Sequence, residues 1–466
     1  MELCSSFRAL FEPFSVCFSE PCFSLWTTLM TGWVLSHRHR YVTDLIVSSD
    51  ATRDGAWCNF HRFFNRYKWS LDDVCRVTAR IVVATLVPPG AIITLAVDDT
   101  LCRKRGLGLF GAGMHHDALL SSRGLKLFSW GHDWVVVCIV VSGLPWAPPI
   151  AFALPVGFRL YVNKQGLTKG KKKKRRAKKG SRKRKTTPAP AGHRTRPELA
   201  VELLTLVGEW FPERMFVVTG DSLYGGKSVV QHLPDNMDLI SRATLKAALY
   251  APVGKHAGVG RPRKKGARLP TIDEWADDSR KPWTTQKIEQ YGLHTTLRWK
   301  RQDALFYGVG KDRLMSIILV EDVDGKRGRQ VFFSTNSNWS LLFILQTYAL
   351  RWSIATLKHA GTFENLKQHL GFSDAANWKE KAVRRTAPMA GVIYSLTVVW
   401  FHNVGHLHVE FPHRPWYPQK KWPSFADMLT TLRRQSFEEK LAPHKNSGVS
   451  QKQAITQLTY FLSLAG

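Results

Sequence analysis

Three aspartates carry the clearest chemical signal in this sequence. Asp98 and Asp99 follow the apolar run AIITLAV, and Asp221 follows the apolar run MFVVTG. Both runs have the length and composition of buried strands, so the carboxylates are expected at strand ends. Neighbouring strand ends converge in space, and a cluster of carboxylate oxygens suits Mg²⁺ or Mn²⁺.

Such a metal centre would act on phosphodiester bonds. Two ions about 3.5–4 Å apart activate a water molecule or a 3′-hydroxyl group and stabilise the leaving oxygen, without a nucleophilic side chain. Taken singly, each aspartate is more often an ordinary strand-end or turn residue. Their occurrence together on a strongly basic chain favours catalysis over that structural interpretation.

The apolar runs also predict the elements that position these aspartates. In chain order we expect strands at residues 91–99, 132–141 and 149–162, a helix at 196–211, a strand within 214–226 and a strand at 237–243. The second and third strands are expected to form a hairpin. Three strands, then helix, strand, helix and strand, is the order of a ribonuclease-H-like fold. The predicted class is therefore α/β, with a mixed sheet and flanking helices.

Residues 1–88 are expected to form helices ahead of this sheet. Ser70 is the predicted N-cap of one helix, with Asp72 and Asp73 in its first turn, and the sequence PPG at 88–90 ends it. The preceding segment WCNFHRFFNRYKW mixes aromatic and basic residues. Packing explains most of its aromatic residues, and DNA contact is the secondary interpretation.

The net charge is +31, from 67 Lys and Arg against 36 Asp and Glu. Nucleic acid is the commonest partner of so basic a chain. Residues 169–185 contain 13 basic residues and no acidic one, yet the remaining chain still carries +18. This run is interpreted equally as a solvated loop and as a phosphate contact, and the two are compatible. The residues assigned to DNA contact there are Lys171, Lys172, Arg175 and Arg176.

Residues 244–338 are polar and rich in Gly and Lys, with strand-like pieces RLMSIILVEDV and RQVFFSTN. They predict a partly β insertion before the last catalytic helix, which is expected to run as one long helix from about Ser340 through residues 348–372. Within the insertion, GRPRKKG contains Arg261 and Arg263, which would suit an A·T-rich minor groove. A flexible loop is the simpler interpretation of so short a motif.

Two classes of protein are excluded by cysteine usage and hydropathy. The seven cysteines show no CxxC spacing, so neither a zinc site nor a disulfide framework is expected, and a reducing cytoplasm fits. The apolar stretch at 134–158 is broken by Gly and Pro. It therefore lacks the about 20 uninterrupted apolar residues that a membrane helix needs, and no membrane partner is expected.

Several stretches, in their order along the chain, resemble the DDE transposases of bacterial insertion sequences. The matching stretches are AVDDTLCRKRG, GAGMHHD, FSWGHDWVVV, VVTGDSLYGG, DLISRATLKAALYAP, FSTN followed by LQTYALRW, FENLKQHLGF and PSFADMLTTLRR. They cover most of residues 90–435, and their order is more specific than any single motif. In this family a ribonuclease-H-like core carries a Y–R–E–K signature around its last acid.

The resemblance implies a metal-dependent enzyme whose cofactor is a pair of Mg²⁺ or Mn²⁺ ions and whose partners are transposon-end and target DNA. The first aspartate of the family precedes a threonine, which selects Asp99 over Asp98, and the second falls on Asp221. A cytoplasmic location in a bacterium, associated with the nucleoid, follows from the same resemblance.

The signature residues fall on the stretch YALRWSIATLKHAGTFENLKQHLGF. Tyr348 and Arg351 match the signature tyrosine and arginine, and Lys367 matches the lysine. In the family these three contact phosphate and steady the helix that carries the third acid. Two structural alternatives stay open, namely that Tyr348 only packs and that Arg351 pairs with a surface acid.

The third acid is absent where the resemblance places it. Counting forward from the signature arginine, with three residues between, leads to Ala355, and counting back seven from the signature lysine leads to Ala360. Glu364 is the only carboxylate of the stretch, and nine residues of continuous helix turn it by about 900°, onto the opposite face. Glu364 would reach the metal only if the helix breaks near Gly361, with Thr362 as a new N-cap.

Two main functions therefore remain open, beside a third in which the same fold serves a nuclease or repair enzyme that does not transpose. The first is a DNA transposase that binds insertion-sequence ends, hydrolyses a phosphodiester bond and transfers the freed strand into target DNA, with Asp99, Asp221 and Glu364 as catalytic metal ligands. The second is a catalytically inactive, transposase-derived DNA-binding protein that has lost its third acid. Because transposition joins two ends, a dimer or higher oligomer is expected in the DNA complex.

The predicted organisation has five parts. They are an N-terminal helical DNA-binding domain (1–88), the first part of the catalytic core (89–243, with a basic insert at 163–195), the insertion region (244–338), the last part of the core (339–405) and a C-terminal tail (406–466).

Overall fold

A computed structural model describes most of the chain. The described residues are 2–53, 56–122, 124–164, 192–253, 263–290, 293–323, 328–355, 361–411, 415 and 418–445. Within them, none of the helices is long and apolar enough to cross a membrane. All seven cysteines are described and are free thiols.

Ten strands of the described chain form one sheet. The strands are β1 (Ile93–Arg103), β2 (Gly113–His116), β3 (Phe128–Val141), β4 (Phe152–Tyr161), β5 (Phe216–Gly220), β6 (Met237–Ala243), β7 (Thr284–Gln290), β8 (Leu293–Leu305), β9 (Leu314–Asp322) and β10 (Gln330–Ser334).

The helices flank this sheet and follow it at the C-terminal end. They are α1 (Ser5–Arg8), α2 (Glu20–Leu35), α3 (Val42–Ser48), α4 (Cys58–Asn65), α5 (Leu71–Leu86), α6 (Arg196–Trp210), α7 (Lys227–Val230), α8 (Ile272–Asp277), α9 (Tyr307–Gly310), α10 (Leu341–Leu350), α11 (Trp352–Ala355), α12 (Thr362–His369), α13 (Glu380–Asn403) and α14 (Phe425–Lys445). Short 3₁₀ helices lie at Ala9–Cys17, Ala51–Arg53 and Gly405–Leu407.

The centre of the sheet has the order β4–β3–β1–β5–β6. The pairs β4–β3 and β3–β1 are antiparallel, and the pairs β1–β5 and β5–β6 are parallel. An antiparallel three-stranded meander joined to two parallel strands is the ribonuclease-H-like arrangement, so the predicted fold class is confirmed. The predicted hairpin between the second and third runs is the β3–β4 pair.

The insertion region continues the same sheet rather than forming a separate one. Beyond β6 the order is β10, β9, β8 and β7, with antiparallel pairing throughout. The partly β insertion expected before the last helices is therefore present, and its strands lengthen the sheet at the edge formed by β6.

Helices cover both faces of the central sheet. A Cβ atom placed on Gly157 of β4 would lie 3.0 Å from Leu203 of α6, and one placed on Gly391 of α13 would lie 2.2 Å from the Phe158 ring. Because Gly157 and Phe158 are consecutive on one strand, they face opposite sides of the sheet. Helix α6 therefore packs on one face and α13 on the other.

The starts of two helices follow from local capping. The Ser70 hydroxyl oxygen accepts a hydrogen bond from the Asp73 amide at 3.3 Å, which confirms the predicted N-cap of α5. Helix α6 begins with a capping box between Thr195 and Glu198 and has proline in its first turn. Such caps satisfy amide groups that have no partner within the helix.

Two predictions about element boundaries were wrong. Strand β1 was expected to end at Asp99, but it runs on to Arg103 because β3 pairs with it as far as the Arg103–Gly131 register. A single long helix was expected from Ser340 onward. Instead, α10 ends at Leu350, and α12 begins separately after Gly361, whose ψ of 107° is not helical.

The first residue of α12 is hydrogen-bonded to the sheet. The Thr362 hydroxyl donates a hydrogen bond to the Ala153 carbonyl oxygen of β4 at 2.6 Å. Thr362 is the first residue of α12 and Gly361 is its N-cap, one residue earlier than predicted. Ala360 lies outside the described residues.

The N-terminal helices and the C-terminal helix pack on the core. The Trp33 indole of α2 donates to the Leu370 carbonyl oxygen at 2.8 Å, and the Trp400 indole of α13 donates to the Ser6 hydroxyl at 3.0 Å. The Cys4 amide donates to the Ser436 hydroxyl of α14 at 3.0 Å. A large hydrophobic cluster contains buried side chains from Leu3 to Leu432, and a second, smaller cluster lies between α10 and the strands from β5 to β10.

Candidate active site

The three aspartates meet where β5 ends beside β1. The last register pair between these strands is Val97–Gly220, so Asp98 and Asp99 lie immediately beyond the end of β5, next to Asp221. The turn after β5 is held by the Asp221 carboxylate, whose Oδ1 accepts the amides of Leu223 at 2.9 Å and of Tyr224 at 3.3 Å. The strand pairing thus brings the predicted carboxylates together.

Asp98 and Asp99 point to opposite faces of β1, as consecutive strand residues must. Asp98 accepts a hydrogen bond from Arg351 Nη1 at 3.2 Å through Oδ2 and from the Asp99 amide at 2.9 Å through Oδ1. Asp99 accepts from the Tyr224 hydroxyl at 2.8 Å through Oδ1, and its Oδ2 lies 3.4 Å from Arg196 Nε. Asp98 therefore faces the signature arginine, and Asp99 faces α6.

The Asp99 face holds a second acidic residue that sequence reasoning missed. In the register, Asp99 lies opposite Val135 and Leu101 lies opposite Asp133, so Asp99 and Asp133 occupy one face as diagonal neighbours. Arg196 Nε donates to Asp133 Oδ2 at 2.6 Å and thereby bridges the two carboxylates. The available signal was an acidic residue directly before the apolar run WVVVCIVV of a strand expected to be buried.

Burial and mutual repulsion raise the pKa values of these carboxyl groups. Burial, and then the charge of Asp99, raise the pKa of Asp98 to about 7, although Arg351 opposes the shift. Burial, and then the charge of Asp133, raise the pKa of Asp99 to about 6 against the opposing charge of Arg196. Burial also raises the pKa of Asp133. Excess negative charge of this kind is what a bound divalent cation would offset.

The donor set fits a divalent metal ion in part. Asp99 and Asp221 each raise the pKa of an aspartate in the cluster, and all their donor atoms are oxygens, as Mg²⁺ and Mn²⁺ prefer. Across the part of the chain that is described, however, no three His, Cys, Asp or Glu side chains are grouped closely enough to hold a metal ion. The aspartates therefore do not form a three-ligand metal site within the described residues.

Glu364 does not join the aspartates in such a group. It lies in the first turn of α12, is exposed, and accepts a hydrogen bond from Gln368 Nε2 at 3.0 Å. The helix break that its predicted role requires is present at Gly361. Its role as the third ligand stays a prediction.

Of the three predicted signature residues, Arg351 and Lys367 contact β1, whereas Tyr348 contacts β10. Tyr348 is buried and packs edge-on against the Phe332 ring, with 5.0 Å between ring centroids. Arg351 is only 6% exposed, and it pairs with Asp98 rather than with a surface acid. Lys367 donates from Nζ to the Leu101 carbonyl oxygen of β1 at 2.9 Å.

Ala355 lies one helical turn beyond Arg351, at the end of α11. Residues four apart share a helix face, and Arg351 uses that face to reach Asp98. Helix α11 packs against β1 and β4. The first of the two predicted registers for the missing acid therefore lies on the side of Asp98, opposite to the face that Asp99 occupies, and alanine occupies it.

The predicted DNA-contact residues are only partly described. Lys171, Lys172, Arg175, Arg176 and Arg261 lie outside the described residues. Arg263 is described and exposed. These assignments stay predictions.

The raised pKa values predict how the metal-free protein responds to pH. An unfolded chain loses the Asp98 proton near the ordinary value of 3.8, whereas the folded protein keeps it until about pH 7. Between these values the folded state binds more protons, so this group's contribution to the free energy of unfolding falls as pH rises. We expect Asp98→Asn to make the thermal unfolding midpoint of the metal-free protein fall less between about pH 5 and about pH 8.

The matched control for this measurement is Asp235→Asn, which removes the same charge at an exposed position. Wild-type protein and this control should show the same pH dependence, and only Asp98→Asn should flatten it. An unchanged slope in Asp98→Asn would contradict the assigned shift.

Comparison with known proteins agrees with the sheet topology. Residues 29–304, more than half of the chain, match the family described as DDE superfamily endonuclease. The match contains Asp98, Asp99 and Asp221 and ends before α10. No curated protein matches the chain.

Among solved structures, the chain is similar to the piggyBac transposase in a cryo-EM structure of its synaptic complex with hairpin DNA. The sequences are 10% identical, the alignment covers 98% of this chain and 81% of that one, and the TM-score is 0.37. This overlap is too low to carry a functional argument. On the family match over more than half of its length, the chain belongs to the DDE superfamily of endonucleases.

Proposed function

We propose that the chain is a DNA transposase that binds insertion-sequence ends, hydrolyses a phosphodiester bond to free a 3′-hydroxyl group, and transfers that strand into target DNA. The observation that carries the proposal is the convergence of Asp98, Asp99 and Asp221 at the β1–β5 junction of a ribonuclease-H-like sheet. The net charge of +31 supports a polyanionic partner.

Asp99 and Asp221 are the proposed ligands of two Mg²⁺ or Mn²⁺ ions, and Glu364 is the proposed third. When bound, such ions activate the attacking water or 3′-hydroxyl group and stabilise the leaving oxygen. No covalent enzyme–DNA intermediate is required. A bacterial origin, a location at the nucleoid, and a dimer or higher oligomer in the DNA complex belong to the same proposal.

The residues around the aspartates have positioning roles. The Tyr224 hydroxyl donates a hydrogen bond to Oδ1 of Asp99, and Arg351 Nη1 donates one to Oδ2 of Asp98. Both fix the carboxylates before DNA arrives, which lowers the cost of ordering them during the reaction. Lys367, with its ammonium group at the main chain of β1, is the proposed contact to a DNA phosphate.

One observation favours a second candidate function, a catalytically inactive DNA-binding protein of transposase ancestry. The position one turn beyond Arg351 is Ala355, and within the described residues no three acidic side chains are grouped closely enough to hold a metal ion. Such a protein would bind element ends without cutting them.

A strand-cleavage assay tests both candidates. Labelled duplexes that cover the DNA on either side of the coding sequence are incubated with the protein and Mg²⁺, Mn²⁺ or EDTA. The transposase proposal expects metal-dependent nicks with 3′-hydroxyl ends and joined products. Binding without cleavage would support the inactive candidate, and absence of binding would overturn both.

A further inference from the structure

A cation-lined cavity adjoins the candidate active site through Lys367. Its volume is about 670 Å³. Its walls come from three places that are distant in sequence, namely the connection between α2 and α3, the end of α12 with the residues that follow it, and α14. The cavity exists only because these segments pack together.

Positive charge dominates the lining. Four basic side chains, from Arg38, Arg40, Lys367 and Arg433, contribute to it against the single carboxylate of Asp374. That carboxylate is already engaged, because its Oδ2 accepts the Arg40 amide at 3.0 Å and lies 3.6 Å from His39 Nδ1. The lining therefore carries an excess of about three positive charges at neutral pH.

The two inner guanidinium groups are held rigidly by main-chain carbonyl groups. Arg40, only 4% exposed, donates from Nε to the Trp33 carbonyl oxygen at 3.1 Å and from Nη2 to the His369 carbonyl oxygen at 2.9 Å. Arg433 donates from Nε and Nη2 to the carbonyl oxygens of Val34 and Ser36, each at 2.7 Å. Their charges are thus placed before any ligand binds.

Burial and proximity make this arrangement electrostatically costly. Burial, and then the charge of Arg40, lower the pKa of Arg433 to about 9. Burial, and then the charge of Arg433, lower the pKa of His37 to about 4. An anion in the cavity would offset this repulsion between cations.

The cavity also adjoins the catalytic strand. Lys367 contributes to the lining, and its Nζ donates to the Leu101 carbonyl oxygen, two residues beyond Asp99 on β1. Lys367 therefore connects the lining with the part of β1 that follows Asp99, so an extended polyanion at the aspartates lies close to the cavity. A chain of phosphates matches this geometry, because each phosphate of DNA is followed by another a few ångströms away.

We propose that this cavity binds a backbone phosphate of DNA and fixes the path of the strand as it leaves the aspartate cluster. The inference rests on the proposed function, because it assumes that DNA is the partner. It adds a DNA contact made jointly by the N-terminal segment around Arg40 and by Arg433 of α14. Neither region contains a proposed metal ligand.

Two variants test the cavity without removing its buried arginines. Arg38→Gln removes one positive charge from the lining, and Gln368→Glu places a carboxylate there at an exposed position. Because Gln368 also donates to Glu364, both variants are compared by DNA binding in metal-free buffer and not by cleavage. Ser24→Glu is the charge-matched control for Gln368→Glu. Ser24 is exposed on α2, eleven residues before Leu35 and so roughly 16 Å along the helix from the cavity end.

Binding of a fluorescent duplex is measured over a range of salt concentrations. We expect both cavity variants to raise Kd several-fold, and Arg38→Gln to reduce the slope of log K against log salt by about one. Ser24→Glu should behave as wild type, and thermal unfolding midpoints show that each variant is folded.

Three results would overturn part or all of this inference. Cavity variants that bind duplex like Ser24→Glu, while wild type binds tightly, would overturn the cavity alone. Failure of wild-type protein to bind any duplex would overturn the proposed function as well. If inorganic phosphate binds the protein in a way that depends on Arg38, while the cavity variants bind the duplex as wild type does, the cavity is a site for free phosphate and not for DNA.

Discussion

Replacing Asp221 with Asn is expected to abolish metal-dependent strand cleavage and to leave DNA binding intact. The Asn side-chain oxygen can still accept the amides of Leu223 and Tyr224, so the turn after β5 keeps its shape. The negative charge that would bind the metal is lost. Mutation of a residue that only orients a metal ligand typically lowers metal affinity or activity about 10–100-fold. Loss of a ligand itself should therefore lower the cleavage rate by more than about a hundredfold.

The measurement is the nicking rate in saturating Mg²⁺ or Mn²⁺, with duplex affinity measured in parallel. Asp235→Asn is again the charge-matched control, because it lies on the exposed turn before β6. Cleavage by Asp221→Asn at the wild-type rate would contradict the assignment of the β1–β5 junction as the active site. A parallel loss of DNA affinity would indicate a binding role instead.

Replacing Ala355 with Glu is expected to increase cleavage, by on the order of tenfold or more, if Asp98 rather than Asp99 is the first metal ligand, because the new carboxylate would lie on the Asp98 face of β1. Residue 355 ends α11 one turn after Arg351, and Arg351 contacts Asp98. A carboxylate there would extend from the same helix face. The side chain is partly exposed at this position, so a larger residue can be accommodated.

Ala355→Gln is the matched control, since it has the same size and no charge. Cleavage should rise in Ala355→Glu and not in Ala355→Gln, when both are measured with the same duplex and metal. Glu364→Gln completes the set. If Glu364→Gln abolishes cleavage and Ala355→Glu adds nothing, Glu364 is the third ligand and the interpretation of position 355 is contradicted.

Local features of the sequence predicted much of the fold correctly. The cap at Ser70, the helix at 196–211 and the strand Met237–Ala243 depend on neighbours within a few residues. Errors arose where partners distant in sequence decide the outcome. Strand β1 passes Asp99 because β3 pairs with it, and the first residue of α12 is bonded to β4 through Thr362.

The candidate site divides in the same way. Asp98, Asp99 and Asp221 were found from apolar runs that end in acids, a pattern visible along the chain. Asp133 and Arg196 were not found, because their importance comes from the β1–β3 register and from the packing of α6. A lone charged residue in a strand has no partner that sequence spacing can identify.

By itself the sequence determined the type and order of the elements, the basic charge of the chain and the positions of the acidic residues. These depend on residue type and short-range periodicity. Only the tertiary structure decided that Asp98 faces Arg351 while Asp99 faces Arg196, and that segments around Arg40 and Arg433 enclose one cavity. Strand register and helix packing set these contacts, because both are fixed by the burial of side chains far apart in the chain.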